Sequence, residues 1–290
     1  MVPLIVKNDL KTEINIFWYY INNTKDLYHK KLIFNYFIDL KNLLEQVNDE
    51  KEAKNIIKNY IVSFRQKYSC KIQKIEKLIE EQVIAIGNTI VNELASLMNY
   101  KFNDNHEGYI IVPVIIPFSP FKGNTFFYSV INQLKLEDLK KLDLLIVLAH
   151  EISHFLLFEK LKEPFFADES IMTENELYFL KEILAVVLIR SNDLAQWLKT
   201  DKYEGNTLLR FLNIEDNGHI ESISNYFNTF YRDYSKKELN FDVFLIDMIK
   251  KIKSISIVLD EKRRIWNQYG AERKKYANQM LEYQQPIKIE

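Results

Sequence analysis

Apolar positions recur at intervals of three and four along most of this chain, which is the signature of amphipathic helices. Between Asp26 and Val47 the residues Tyr28, Leu32, Ile33, Phe37, Leu40, Leu43 and Leu44 follow that spacing. A second such segment is predicted over about 50–68. A third, over about 70–98, lines up Ile72, Ile75, Leu78, Ile79, Val83, Ile86, Ile90, Val91, Leu94 and Leu97 as one stripe. A stripe of this kind predicts the buried face of a long helix. After Asn103 the period changes. Tyr109–Phe118 (YIIVPVIIPF) and Thr125–Ile131 (TFFYSVI) are short β-branched and aromatic runs, separated by the turn-rich SPFKGN. They predict two strands, antiparallel, and the only β structure of the chain. Pro113 and Pro117 lack the N–H a ladder needs, so the first strand is expected at an edge or with a break.

Helical periodicity then resumes, with elements predicted at roughly 135–161, 173–191, 192–200, 217–232, 238–258 and 260–283. The expected fold class is α+β, predominantly helical. Composition fits a globular protein, since 47% of the 290 residues are hydrophobic and 27% charged. Thirty-nine Lys and Arg against 40 Asp and Glu leave a formal net charge of −1, which gives no electrostatic reason to expect nucleic acid or an anionic membrane as partner. A single cysteine, Cys70, excludes an internal disulfide and a cysteine-rich metal knuckle. The first residues, MVPLIVKNDLK, do not read as a signal peptide, and no apolar run reaches the roughly 18 residues of a bilayer span. A cytoplasmic protein is the expectation.

His150-Glu151-Ile152-Ser153-His154 is an H-E-x-x-H match inside a strongly helical segment. Residues four apart on a helix share a face and lie about 6 Å apart along its axis. Two imidazoles so placed can converge on one zinc ion at about 2.0–2.1 Å. Glu151 falls about 100° around the helix, on the flank of such a site, where its carboxylate can take a proton from a water at the metal. The flanking LDLLIVLA and FLLF are apolar on nearly every face, so the helix is expected to be buried almost all round. Burying two His and a Glu there is costly unless each finds a partner. The alternative to a metal is a histidine pair bonded to backbone or carboxylates.

Catalytic zinc sites usually take three protein ligands and a water. The metzincin pattern requires Gly three and His six residues past the second histidine; Leu157 and Lys160 stand there. One His, His219, and no Cys lies downstream, so the third ligand is expected to be a carboxylate. Thr173-Glu174-Asn175-Glu176 fits a capping box, which assigns Glu174 and Glu176 to a helix N-terminus. Glu182 has Tyr178, Phe179, Ala185 and Val186 as its helical neighbours. A carboxylate among such residues needs a strong reason, either a metal or a buried Lys or Arg. Glu182 is the expected third ligand, and Ala185 leaves room for another helix to approach. No group for stabilising an oxyanion stands out; His219 and the tyrosines qualify by chemistry alone.

His150-Glu151-x-x-His154 followed by Glu182-x-x-Ala185 resembles the gluzincin branch of the zincin metallopeptidases. The resemblance covers about residues 70–200, and Ser153 matches the small residue that relatives often carry before the second histidine. It implies a zincin-like core of long helix, small sheet, H-E-x-x-H helix and glutamate helix over 70–200. Helical extensions at 1–69 and 201–290 would complete the chain. It further implies a zinc-dependent peptidase with one Zn2+ held by His150, His154 and Glu182, Glu151 as general base, and a peptide or protein substrate. Thr125–Ile131 or Tyr109–Phe118 would then serve as the edge strand that pairs with an extended peptide. The alternative is a zincin-fold regulatory or binding protein that acts on a single partner, with little or no general peptidase activity.

Overall fold

Helix starts are set by short polar side chains that take up the first free backbone N–H groups. Asp9 accepts from Thr12 N at 3.0 Å, Asp26 from His29 N at 3.2 Å, and Asp49 from Glu52 N at 2.8 Å. The computed structural model describes residues 3–24, 26–104, 106–135, 143–169, 171–200 and 202–289. The protein is α+β and predominantly helical, and it divides into two units, Met1–Asn88 with Glu107–Val147 and Thr89–His106 with Leu148–Glu290. Among the described residues no helix is long and apolar enough to cross a membrane.

The first unit holds β1 (Leu4–Val6), α1 (Leu10–Asn22), α2 (Leu27–Tyr36), α3 (Ile38–Leu44), α4 (Glu50–Lys67), α5 (Ser69–Gln82), β2 (Tyr109–Val114), β3 (Phe121–Lys122) and β4 (Thr125–Ser129). The helix predicted over 26–47 is two helices, because Phe37 leaves the helical backbone at φ −122° and ψ 66°. Its ring is buried, with centroids 5.7 Å from Phe17, 5.6 Å from Tyr60 and 5.7 Å from Phe64. The long stripe of 70–98 is interrupted by a π-helical segment, Val83–Gly87. Ile79, Val83 and Gly87 are buried four apart. The wider π turn keeps on one side a spacing that a 3.6-residue turn would rotate away.

The four-stranded sheet corrects two expectations. Its order is β1-β2-β4-β3, and β2 pairs with β4 in parallel, not antiparallel. The chain of 115–124 returns across the sheet end, and only β3 closes an antiparallel hairpin on β4 through Gly123, at φ +61°. The reason is burial: β2 is buried on both faces apart from Ile110, as inner parallel strands are. β2 is also not an edge strand over its first half. β1 covers it only up to Ile111, whose carbonyl accepts from Lys7 N at 2.9 Å. Pro113 follows past the end of β1, so its missing N–H interrupts no ladder. There two side chains replace a strand. Arg65 Nη2 donates to Pro113 O at 2.9 Å, and Ile115 N donates to Glu13 Oε1 at 2.6 Å. Arg65 Nε donates in turn to Glu13 Oε2 at 2.6 Å. The outer side of β4 is taken as well, since Phe127 N donates to Pro120 O at 2.8 Å and Ser129 N to Ser119 Oγ at 3.1 Å. Neither strand expected to receive a peptide has a free side over its length.

The second unit holds α6 (Asn88–Leu97), α7 (Leu144–Lys160), α8 (Glu174–Ile189), α9 (Asn192–Leu198), β5 (Asn213–Asp216), β6 (His219–Ser222), α10 (Ile223–Lys236), α11 (Phe241–Ser254), α12 (Ser256–Tyr269), α13 (Ala277–Gln284) and β7 (Ile287–Ile289). The part of the predicted 135–161 helix at 136–142 lies outside the described residues. Helix α8 packs against α10, α11 and α12 and is buried from Glu182 to Ile189. A second sheet, β6-β5-β7, corrects the expectation of a single β region. β5 and β6 form a hairpin over part of the predicted 217–232 helix. Its turn is Asn217-Gly218, at φ 50° and 78°, the pair that a tight hairpin turn requires. Their signal was present in the sequence as Asn-Gly between alternating residues.

Glu13 is buried to 1% exposure and anchors both Arg65 and the Ile115 amide. Glu13→Ala is therefore expected to lower the free energy of unfolding by about 3 kcal/mol in urea titrations followed by circular dichroism. Glu13→Gln, which keeps an acceptor for the Ile115 amide, should lose less. Equal stability of Glu13→Ala and the parent would remove the edge-capping role.

Candidate metal centre

Helix α7 is apolar around its circumference, and Leu148, Ala149, Ile152, Leu156 and Leu157 are fully buried. The same helix buries His150, Glu151, Ser153 and His154, each below 10% exposure. Ser153 Oγ satisfies itself on His150 O at 2.6 Å. The two imidazoles, one turn apart, have centroids 4.4 Å apart at 71°. Lys160, six residues past His154, is buried in an ion-pair cluster with Asp242 at 2.9 Å and Glu163 at 3.0 Å.

Helix α8 begins at Thr173 with a complete capping box. Glu176 N donates to Thr173 Oγ1 at 3.2 Å, and Thr173 N donates to Glu176 Oε2 at 2.7 Å. Glu174 is exposed, with Arg263 Nη2 at 3.9 Å. Two turns further, Glu182 is buried and turns towards the histidines. Its Oε2 is 3.2 Å from His150 Nε2 and its Oε1 is 3.6 Å from His154 Nε2. Ligand atoms of His150, His154 and Glu182 all lie within 4.8 Å of one another. His219 sits on β6 in the exposed part of its hairpin, outside this group.

Three residues that the sequence reading did not single out complete the surroundings. Lys181 Nζ donates to Glu182 Oε1 and stands 3.4 Å from His154 Nε2. Tyr203 Oη is 2.9 Å from His150 Nδ1. Asn206 Nδ2 donates to Glu182 Oε2 at 2.9 Å. Lys181 was visible in principle, as a second charge in an apolar helix. Tyr203 and Asn206 come from an irregular segment, and no pattern marks them.

Burial alone would raise the Glu182 carboxyl, but the Lys181 ammonium and the two imidazoles hold it well below the usual carboxylate range. Burial pushes Glu151 up to about 7, opposed in part by His150 and Lys181. Glu151 Oε2 is buried with no hydrogen-bond partner among the described residues.

Two imidazoles and a carboxylate whose ligand atoms lie within 4.8 Å of one another could hold a metal ion. The orphaned Glu151 oxygen is the second indication, since a buried acceptor without a donor is costly. The Lys181 ammonium lies on the same carboxylate, at Oε1, and would compete with a metal for its charge. Comparison with protein-family profiles, with curated proteins and with solved structures gives no match to this chain.

Proposed function

We propose that this chain is a zinc-dependent metallopeptidase of the gluzincin type, with a zincin-like core and a peptide or protein as substrate. The observation that carries the reading is the buried trio His150, His154 and Glu182, its ligand atoms within 4.8 Å, next to a carboxylate whose Oε2 has no donor among the described residues. His150 Nε2, His154 Nε2 and the Glu182 carboxylate would hold one Zn2+. Bound zinc makes a coordinated water acidic near neutral pH and polarises a peptide carbonyl. Glu151 is the proton carrier: its Oε2 takes the proton of the attacking water and delivers it to the departing amine nitrogen. Burial raises the affinity of this carboxylate for a proton in the metal-free cluster. The apolar helix around it excludes bulk water and so strengthens each of these interactions.

A second reading rests on Lys181. Its ammonium on Glu182 closes the cluster as an ion-pair network without metal. In that state the chain would act as a zincin-fold regulatory or binding protein for a single protein partner.

Metal analysis separates the two. The peptidase reading expects one zinc per chain, lost in His150→Ala and in His154→Ala. At a free zinc concentration a hundredfold above Kd, the stripped protein should gain about 2.7 kcal/mol of stability, seen as a rise of several degrees in melting temperature. Protein purified with ample zinc yet free of it, with an unchanged melting temperature, would leave only the second reading.

Glu151→Gln should retain zinc and lose at least about a hundredfold in turnover of a mixed peptide library. Cleavage by this variant at the parent rate would sink the assignment of Glu151 as the proton carrier.

A further inference from the structure

We infer that the segment 203–206 is a clamp that orients the ligands of the metal centre, with Tyr203 and Asn206 as positioning residues. The inference rests on the zinc reading above and goes beyond its three ligands and base. Two different side chains from one four-residue stretch reach two different ligands of the proposed centre. Tyr203 Oη meets His150 Nδ1 at 2.9 Å, on the ring nitrogen away from Glu182. With Nε2 given to an ion, a neutral His150 ring carries its proton on Nδ1, and Tyr203 Oη is placed to accept it and hold the ring plane. Asn206 Nδ2 holds Glu182 Oε2 at 2.9 Å and Tyr178 Oη at 3.0 Å, so the carboxylate plane is fixed from the side opposite the Lys181 contact on Oε1.

The backbone of the segment is built for this approach. Tyr203 O accepts from Arg190 Nε at 2.6 Å, and Arg190 is the C-cap of the helix that carries Glu182. Asn206 Oδ1 accepts from Leu209 N at 3.1 Å, which fixes the amide so that Nδ2 faces Glu182. Gly205 lies between them at φ +75°, and a Cβ there would stand 2.7 Å from Val186 Cγ2. Only glycine lets the backbone come this close to α8 with this turn. The clamp is thus tied to both ends of the same helix segment, at Arg190 and at Glu182. Without it, the Glu182 carboxylate would keep only Lys181 and the two imidazoles as partners, and the His150 ring would lose its contact on Nδ1.

Tyr203→Phe removes the hydroxyl and keeps the ring; Asn206→Ala removes the donor. Zinc affinity is measured on the full chain by competition with a zinc-binding dye, and Co2+ is substituted to read the ligand field in the visible spectrum. The expected result is a zinc affinity lower by about 10- to 100-fold in each variant, with an altered Co2+ spectrum. The melting temperature of the metal-free Tyr203→Phe variant should stay near that of the parent, which separates positioning from folding. Should Asn206→Ala fail to fold through loss of the Leu209 bond, Tyr203→Phe decides alone. A parent that binds zinc and variants that bind it equally well, with the same Co2+ spectrum, would overturn the clamp and leave the zinc reading intact. A parent that takes up no zinc would overturn both.

Discussion

A carboxylate buried in an apolar helix must be neutralised, and that requirement organises the second unit around Glu182. The helix that carries it is wrapped by three others, so water cannot solvate the charge. His150, His154, Lys181 and Asn206 supply what water would have. An isolated buried ion pair is poor evidence of stability, because desolvation offsets most of its attraction. Four polar partners converge on this one carboxylate, two of them from a single helix face, and this convergence is what the proposed metal centre rests on. In the structure Lys181 closes this centre on itself, and in the proposed reading a metal would compete with it for the carboxylate.

The same constraint acts in the first unit, with a different outcome. Where β1 ends, the edge of β2 would leave the Pro113 carbonyl and the Ile115 amide buried without partners. Arg65 and Glu13 take the place of the missing strand, one donating and one accepting. Here the buried charges satisfy backbone as well as each other, and Arg65 also donates to Glu76 Oε1 at 3.0 Å. A buried acid in this protein is therefore not in itself a sign of a catalytic site. What distinguishes Glu182 from Glu13 is the company of two imidazoles rather than a guanidinium and an amide.

Much of the local structure could be read from residue order because it depends on neighbours within one turn. Asp49 and Thr173 start helices, Glu176 closes a capping box, and His150, Glu151 and His154 share a helix through their spacing. The oddity of Glu182 among Tyr178, Phe179 and Val186 was equally local. The parallel pairing of β2 with β4 was not, since two apolar runs of β type pair in either direction and only burial on both faces chooses. The second sheet was legible only in the Asn217-Gly218 turn; the pairing of β5 with β7 was not, since paired residues are 73 positions apart and β7 is three residues long.

Sequence by itself determined a predominantly helical protein, a helix with two histidines and a glutamate on adjacent faces, and a second helix with one misplaced acid. Tertiary structure alone decided that the acid faces the histidines, that Lys181 lies against it, and that Tyr203 and Asn206 reach in from an irregular segment. The physical reason is range. Helical periodicity and capping act within one turn of chain, whereas the orientation of a ligand is set by hydrogen bonds from residues twenty-four to fifty-three positions away.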